Sequence, residues 1–316
     1  MSRSTLVRTS VVLVAWLALA TFPQWSGFWE SSRFAAGIIR QVLIFAIFAS
    51  SLNLLVGYVG LPSLGHAAFF GGGAYAAAIV AQRLGTDQLL VSLGAGILGA
   101  ALLALVVGFL AVRALGIFFL MLTLALAQMV FALAFQATEL TGGSNGFSGV
   151  HRPTLFAIDF NAASDLYVLV CVTFLLVVLL LWRLVTSSYG RVLIGVRENE
   201  RRMRALGYDT RTLKLSAFVL AGAIAGIAGA LSSYEFRFVS PNDVALGTSV
   251  TGFVMVLIGG AGTLLGPVLG AAAVLLIERV LPSELPAQTV LGVVFILFVV
   301  FARQGIAGAL RGVVRV

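Results

Sequence analysis

Charge is what this sequence has least of. Only 10% of its 316 residues are charged and just 12 are Asp or Glu, where soluble domains average about a quarter charged. With 60% hydrophobic residues, a polar surface that would keep the chain in water is excluded. Cysteine occurs once, as Cys171 inside an apolar run, which excludes an internal disulfide and gives no basis for a thiolate metal site or redox centre. That residue reads as a small packing side chain. The two histidines, His66 and His151, do not join a cluster of acids or other ligands, so a membrane-embedded enzyme lacks its convergent groups. A Gly-x-x-x-x-Gly-Lys-Ser/Thr loop is missing as well, and with it a cradle for the phosphates of ATP. No catalytic residue, metal ligand or cofactor of this chain's own is expected.

Long apolar runs are what the sequence does have. A helix crossing a bilayer needs about 20 mostly apolar residues, because an unsatisfied backbone group in hydrocarbon costs several kcal/mol. Ten stretches qualify as spans or short spans: 6–22, 38–56, 64–82, 89–112, 117–137, 166–185, 213–232, 246–258, 267–280 and 289–302. The expected fold is all-α, a polytopic bundle of about ten spans forming one membrane domain over 1–316. The first stretch follows Arg3 and Arg8 and contains Ala18-Leu19-Ala20, which mimics a signal-peptide cleavage site; an uncleaved first span is expected, since the run is long enough to span.

The formal net charge of +8 does not point to nucleic acid, because the arginines sit at the ends of apolar runs and in one loop. With the N-terminus in the cytoplasm, Arg3, Arg8, Arg113, the 191–214 stretch, Arg303, Arg311 and Arg315 share one side, as the positive-inside rule requires. Both termini are then cytoplasmic. The outer side receives the 138–165 loop, in which Glu139, Asp159 and Asp165 face Arg152, and short loops with Glu235, Asp243 and Glu284.

Glycine is abundant, at 35 residues. Gly222, Gly226 and Gly229 fall on nearly one helix face, where small residues let neighbouring backbones approach closely. Two segments combine Gly with Pro: Gly57 through Tyr75, containing Pro62, and Gly259 through Gly270, containing Pro267. Either these are broken helices at depth, covered by protein or lining a cavity, or they are short turns between antiparallel helices. His66 sits where a span begins. It is open to three roles: helix cap bonded to a neighbouring carbonyl, proton relay, or solute contact.

Residues 187–211 depart from the apolar pattern. Val192, Ile194, Val196, Met203 and Leu206 alternate with Arg and Glu, and Gly207 reads as a stop, so one short amphipathic helix outside the membrane is expected. It reads as a solvated connector carrying positive-inside charges, as a helix lying on anionic headgroups, or as a docking element for a cytoplasmic partner; Glu198, Asn199 and Glu200 among the arginines exceed what a topology signal needs and favour the last.

Four stretches in order resemble the permeases of branched-chain amino acid ABC transporters, of LivM type, a family that also includes urea and amide permeases. They are Asn53-Leu54-Leu55-Val56-Gly57-Tyr58 with Ser63-Leu64-Gly65-His66-Ala67-Ala68-Phe69; Leu140 through Gly146; Gly190-Arg191 with Arg197-Glu198-Asn199-Glu200 and Ala205-Leu206-Gly207; and Ile258 through Pro267. Departures are Leu61-Pro62, and Arg201-Arg202 after the Arg-Glu-Asn-Glu run. The resemblance implies an importer in a bacterial cytoplasmic membrane. This chain would pair with a second, LivH-type permease, with two cytoplasmic ATPases that hold ATP and magnesium, and with a periplasmic or lipid-anchored binding protein. It implies that Gly190, Arg191, Arg197, Glu198, Asn199, Glu200, Ala205, Leu206 and Gly207 couple to the ATPase. Asn53, Ser63, His66 and Thr123, near the interrupted helices, are the expected pathway residues. An ion-coupled secondary transporter is the rival reading, but it needs buried ionisable groups, and Arg40, Glu278 and Arg279 all lie near span ends.

Overall fold

The structure is a computed structural model that describes residues 29–85, 88–114, 116–155, 158–280, 292, 296 and 305–311. The expected spans 6–22 and, but for two single positions, 289–302 lie outside these residues, as does the cleavage question. The described residues form a helical bundle. In order its helices are α1 (Trp29–Asn53), continued by a π-helical turn (Leu54–Val59); α2 (Ala67–Leu84); α3 (Leu89–Ala111); α4 (Ile117–Gln136); and the single turn α5 (Thr138–Thr141). There follow α6 (Ala163–Thr186), α7 (Ser188–Glu198), α8 (Glu200–Ala205), α9 (Thr210–Phe236), α10 (Leu246–Gly259), α11 (Gly266–Val280) and α12 (Gly305–Arg311). Two antiparallel ladders of two residues each, Phe147↔Val239 with Ser148↔Phe238 and Thr154↔Asp159 with Leu155↔Ile158, tie the loops at one end.

Five described helices are long and apolar enough to cross a membrane: α1 with its π turn, α3, α4, α6 and α9. Expected bounds shift by a few residues, and the shifts have local causes. α9 starts at Thr210 because Asp209 caps it, accepting from the backbone N–H of Arg211 at 3.1 Å and of Thr212 at 3.3 Å. α2 starts at Ala67 rather than in the Pro62-Ser63-Leu64-Gly65 stretch, which is not helical.

α1 is the centre of the bundle. Phe48, Ile47 and Leu52 are fully buried, and α6, α9, α10 and α11 all touch it. Beside it, α2, α3 and α9 meet through small residues: Gly226 against Ala100 and Gly96, Gly222 against Ala104, Gly73 against Gly226. The glycine face expected on α9 is therefore used for close backbone approach, which gains dispersion contacts where no hydrophobic driving force separates protein from lipid. The outer surface is the reverse of a soluble protein's. Leu98, Leu102, Val106, Phe118, Met121, Met129 and Leu133 all point outward from α3 and α4, as helices facing hydrocarbon do.

Candidate functional site

The first interruption is a buried, non-helical strand of chain. After the π turn, Gly60 takes a left-handed conformation (φ 78°), which a side chain would strain, and residues 60–66 run without helix back into the bundle. Leu61, Ser63, Gly65 and His66 are buried there. Exposed backbone at such depth needs protein cover, and two helices and the segment's own Ser63 supply it. Gly65 lies directly against the Thr123 carbonyl and Ala127 of α4. The Ser63 hydroxyl accepts from the Gly65 N–H at 3.3 Å. The Ala67 N–H, at the start of α2, donates to the Ser249 hydroxyl of α10 at 2.9 Å.

His66 is held between aromatic rings, with Phe48 stacked at 5.5 Å and Phe69 edge-on at 5.5 Å. The Ser51 hydroxyl donates its one proton to the Phe48 carbonyl at 2.7 Å. The 2.8 Å contact between Ser51 Oγ and His66 Nε2 must then carry the ring proton, which leaves Nδ1 of the neutral ring as an acceptor. Nδ1 has no partner among the described residues. Of the roles open to His66, capping a helix or bonding a neighbouring carbonyl is not observed: its side chain makes no cap hydrogen bond.

The second interruption, 260–265, is a turn between α10 and α11. The Thr263 hydroxyl donates to the Gly260 carbonyl at 2.8 Å and accepts from the Gly266 N–H at 3.0 Å, so it organises the start of α11. Asn53 joins the two interruptions. Its Nδ2 donates to the Thr263 carbonyl at 2.8 Å, and its Oδ1 accepts from the Gly262 N–H at 2.8 Å. Gly57 and Gly262 touch so closely that a Cβ on Gly57 would collide with the Gly262 backbone.

Residues 187–211 are two helices, which corrects the expected single helix from Gly190 to Gly207. Asn199 is extended (φ −157°, ψ 92°) and its side chain accepts from the Arg202 N–H at 3.0 Å. A local acceptor of this kind ends one helix and caps the next. The Ser187 hydroxyl caps α7 by accepting from the Gly190 N–H, and Gly190 lies so close to the Leu184 and Val185 carbonyls that it has no room for a side chain. Arg191 bonds the Thr186 carbonyl and the Ser188 hydroxyl. Arg197 lies across Gly60 and donates to the Gly57 carbonyl, which links α7 to the first interruption.

Glu200 faces inward. It accepts from Lys214 Nζ at 2.6 Å, from Arg204 at 2.7 Å and from the Thr210 hydroxyl at 3.0 Å. Burial alone would raise its pKa, but the hydrogen bonds from Lys214 and Arg204 outweigh it and hold the carboxyl below the usual range. Glu198, Asn199, Arg201, Arg202, Ala205, Leu206 and Gly207 are exposed instead. Asn53, Ser63, His66 and Thr123 are all buried, and among the described residues the Thr123 hydroxyl bonds only the Leu120 carbonyl of its own helix. Sequence reasoning missed Ser51 and Ser249 because short hydroxyl side chains within apolar runs carry no local signal of the partner they meet. It also left Arg40 unpaired, although its guanidinium meets Glu235 at 2.6 and 2.9 Å at the other end of the bundle.

A bundle with an apolar exterior, interrupted helices tied to each other, and an exposed charged helix pair bonded to one interruption defines a multi-pass membrane transport protein. Residues 34–302 match the family described as the permease component of branched-chain amino acid transport systems. Relatives include the high-affinity branched-chain amino acid permease protein LivM of Escherichia coli, 32% identical over 95% of this chain and 75% of that protein. The same protein of Salmonella typhimurium is 31% identical over 87% of this chain and 70% of its own. A probable LivM of Methanocaldococcus jannaschii is 28% identical, over 75% of this chain and 78% of its own. No solved structure matches. The chain belongs to the branched-chain amino acid permease family and is a permease subunit of an ABC importer.

Proposed function

We propose that this permease moves branched-chain amino acids inward across a bacterial cytoplasmic membrane, and that residues 187–211 transmit the work of separate ATPases to the interrupted helices. The observation that carries the reading is the chain of contacts from α7 to both interruptions. Arg197 holds the Gly57 carbonyl, and four residues before Gly57, Asn53 holds Gly262 and Thr263. A push on α7 is thus delivered to the two least regular pieces of backbone in the bundle, where a rigid element with two arrangements is easiest to build.

The exposed residues Glu198, Asn199, Arg201, Arg202, Ala205 and Leu206 form the ATPase-facing surface. Arg191 is exposed beside it, and Glu200 and Gly190 shape it from within. ATP and magnesium belong to the partner subunits. Both termini and residues 187–211 are cytoplasmic, in a bundle of about ten spans. Arg113 and Arg211 support this side: both guanidiniums lie over the Phe109 ring, at 4.7 and 5.7 Å.

A second permease of LivH type covers α4. Only 22% of the most apolar stretch of that helix is buried, against 83% in α1 with its π turn. Gln128 stands exposed near its middle, and a bare amide there is costly in hydrocarbon. A polar pathway or a neighbouring subunit removes that cost. The binding protein delivers solute to the opposite end.

The assembled transporter in vesicles is expected to take up leucine, isoleucine or valine only with ATP inside and loaded binding protein outside. Arg197→Ala should lower uptake about tenfold with assembly retained. Uptake without ATP would overturn the reading in favour of a channel or ion-coupled carrier, and uptake of urea or a short amide alone would replace the solute.

A further inference from the structure

At the end of the bundle opposite α7, a cavity of about 510 Å³ opens between α1, α2, α10 and α11. Small-molecule sites usually occupy about 300–1,000 Å³. Its floor is the stacked pair Phe45 and Phe70, with centroids 5.9 Å apart and planes at 28°. Met255 and Leu275 continue the apolar wall, and the Thr251 and Glu278 side chains border it.

The polar groups on this wall are not equivalent. Asp243 is held through one oxygen, since its Oδ2 accepts from the Ser240 N–H at 2.8 Å and the Ser240 hydroxyl at 3.4 Å. The Thr248 hydroxyl donates to the Asn242 carbonyl at 2.8 Å. Glu278 and Thr251 have no hydrogen-bond or ion-pair partner among the described residues. A carboxylate on a membrane helix without a partner is costly and marks a place where a cation is expected. The next residue, Arg279, does not fill that place: its guanidinium bonds Gln41 at 3.3 Å.

We propose that this cavity is the first station of the solute inside the permease, a site for a zwitterionic amino acid with an aliphatic side chain. Glu278 accepts from the α-ammonium group. The Thr251 hydroxyl donates to the α-carboxylate. Phe45, Phe70, Met255 and Leu275 take the branched side chain. The inference rests on the proposed function and sharpens it: two carboxylates, Glu278 and Asp243, with no arginine or lysine among the described lining residues favour a solute carrying an ammonium over urea or a plain amide. A hydroxyl, rather than a guanidinium, at the carboxylate end keeps the hold weak enough for release, as a pathway requires.

The test uses the assembled transporter in vesicles with saturating leucine-loaded binding protein. Glu278→Gln is expected to lower leucine uptake about tenfold or more, the loss set by one charge-assisted hydrogen bond, and Glu278→Asp to recover part of it; co-purification of the partner subunits shows that assembly is kept. A second measurement stands apart from uptake. The one native cysteine of this chain, Cys171, is buried, so Gly247→Cys, at a cavity-lining position with open space for a side chain and no assigned contact to the solute, reports on the cavity when the label is read on this subunit's own band. Its labelling by a small charged thiol reagent is expected to slow severalfold when loaded, but not empty, binding protein is present.

If the unmodified transporter takes up no branched-chain amino acid, the proposed function fails. If it does, while Glu278→Gln matches it and labelling at position 247 ignores the solute, the cavity proposal is overturned. Should Glu278→Gln fail to assemble, the labelling result decides.

Discussion

Residues 60–66 and residues 260–265 are both gaps between helices, and both contain two glycines with a proline within or just after them. Their surroundings differ. The first gap is enclosed: Ser63, Gly65 and His66 are buried, with α4 on one side and Ser249 of α10 on the other. The second is a turn at the end where α7 lies, with Ala261 and Leu265 exposed. Depth, rather than composition, decides what a Gly/Pro stretch does. A turn at a helix end lets water satisfy its carbonyls, whereas a gap inside the bundle must find every partner in protein. Asn53 makes the two into one assembly by reaching from the helix before the first gap into the second.

The largest expected effect separates the gaps by depth. Gly65→Val drives a side chain into the Thr123 carbonyl and should cost about 3 kcal/mol. Ala261→Val, on the exposed turn, should stay within about 0.5 kcal/mol. Thermal unfolding of both variants in detergent measures the difference, and equal losses would break the comparison. Next comes the tie between them. Asn53→Ala leaves the Gly262 N–H and the Thr263 carbonyl without their bonds and should cost about 2 kcal/mol; an unchanged melting temperature would mean that the gaps are held independently.

A smaller effect concerns the joint between α8 and α9. The folded pKa of Glu200 is lowered: burial opposes this but is outweighed by the bonds from Lys214 and Arg204. The stabilisation is therefore present above the unfolded carboxylate value of about 4.3 and lost as pH falls through the lower folded value. Melting curves of the native chain and of Glu200→Gln should differ at pH 7 and converge only as pH falls through the lowered folded value. A constant difference across that range would remove the ion pair as the cause. Smallest of all, Thr123→Val gives up only the bond to the Leu120 carbonyl and should change stability by less than about 1 kcal/mol. A large loss of uptake with stability kept would instead place Thr123 in contact with solute.

Much of the architecture was legible because it depends on properties that add along the chain. The runs at 89–112, 117–137 and 166–185 became α3, α4 and α6 almost as read, since a bilayer-length apolar helix satisfies its own backbone without reference to neighbours. The site was less legible. Residues 187–211 carried the right amphipathic pattern, yet the break at Asn199 depends on its side chain turning back to the Arg202 N–H, a competition between capping and helix that periodicity does not register. Glu198 and Glu200 looked interchangeable in a run of alternating charge. They part company because Lys214, on α9, reaches only Glu200.

By itself the sequence determined that the chain lives in a membrane and where its long helices run. Hydropathy and length are properties of segments, so no knowledge of contacts is needed to read them. Only the tertiary structure decided that the two interruptions share Asn53, that Arg197 rather than Glu200 reaches an interruption, and that Glu278 borders a cavity floored by Phe45 and Phe70. These are pairings between residues that lie far apart in the chain, up to 210 positions for Asn53 and Thr263. Their energy exists only once the helices are in register, because a buried polar group is stabilised by the particular partner it meets and not by its place in the sequence.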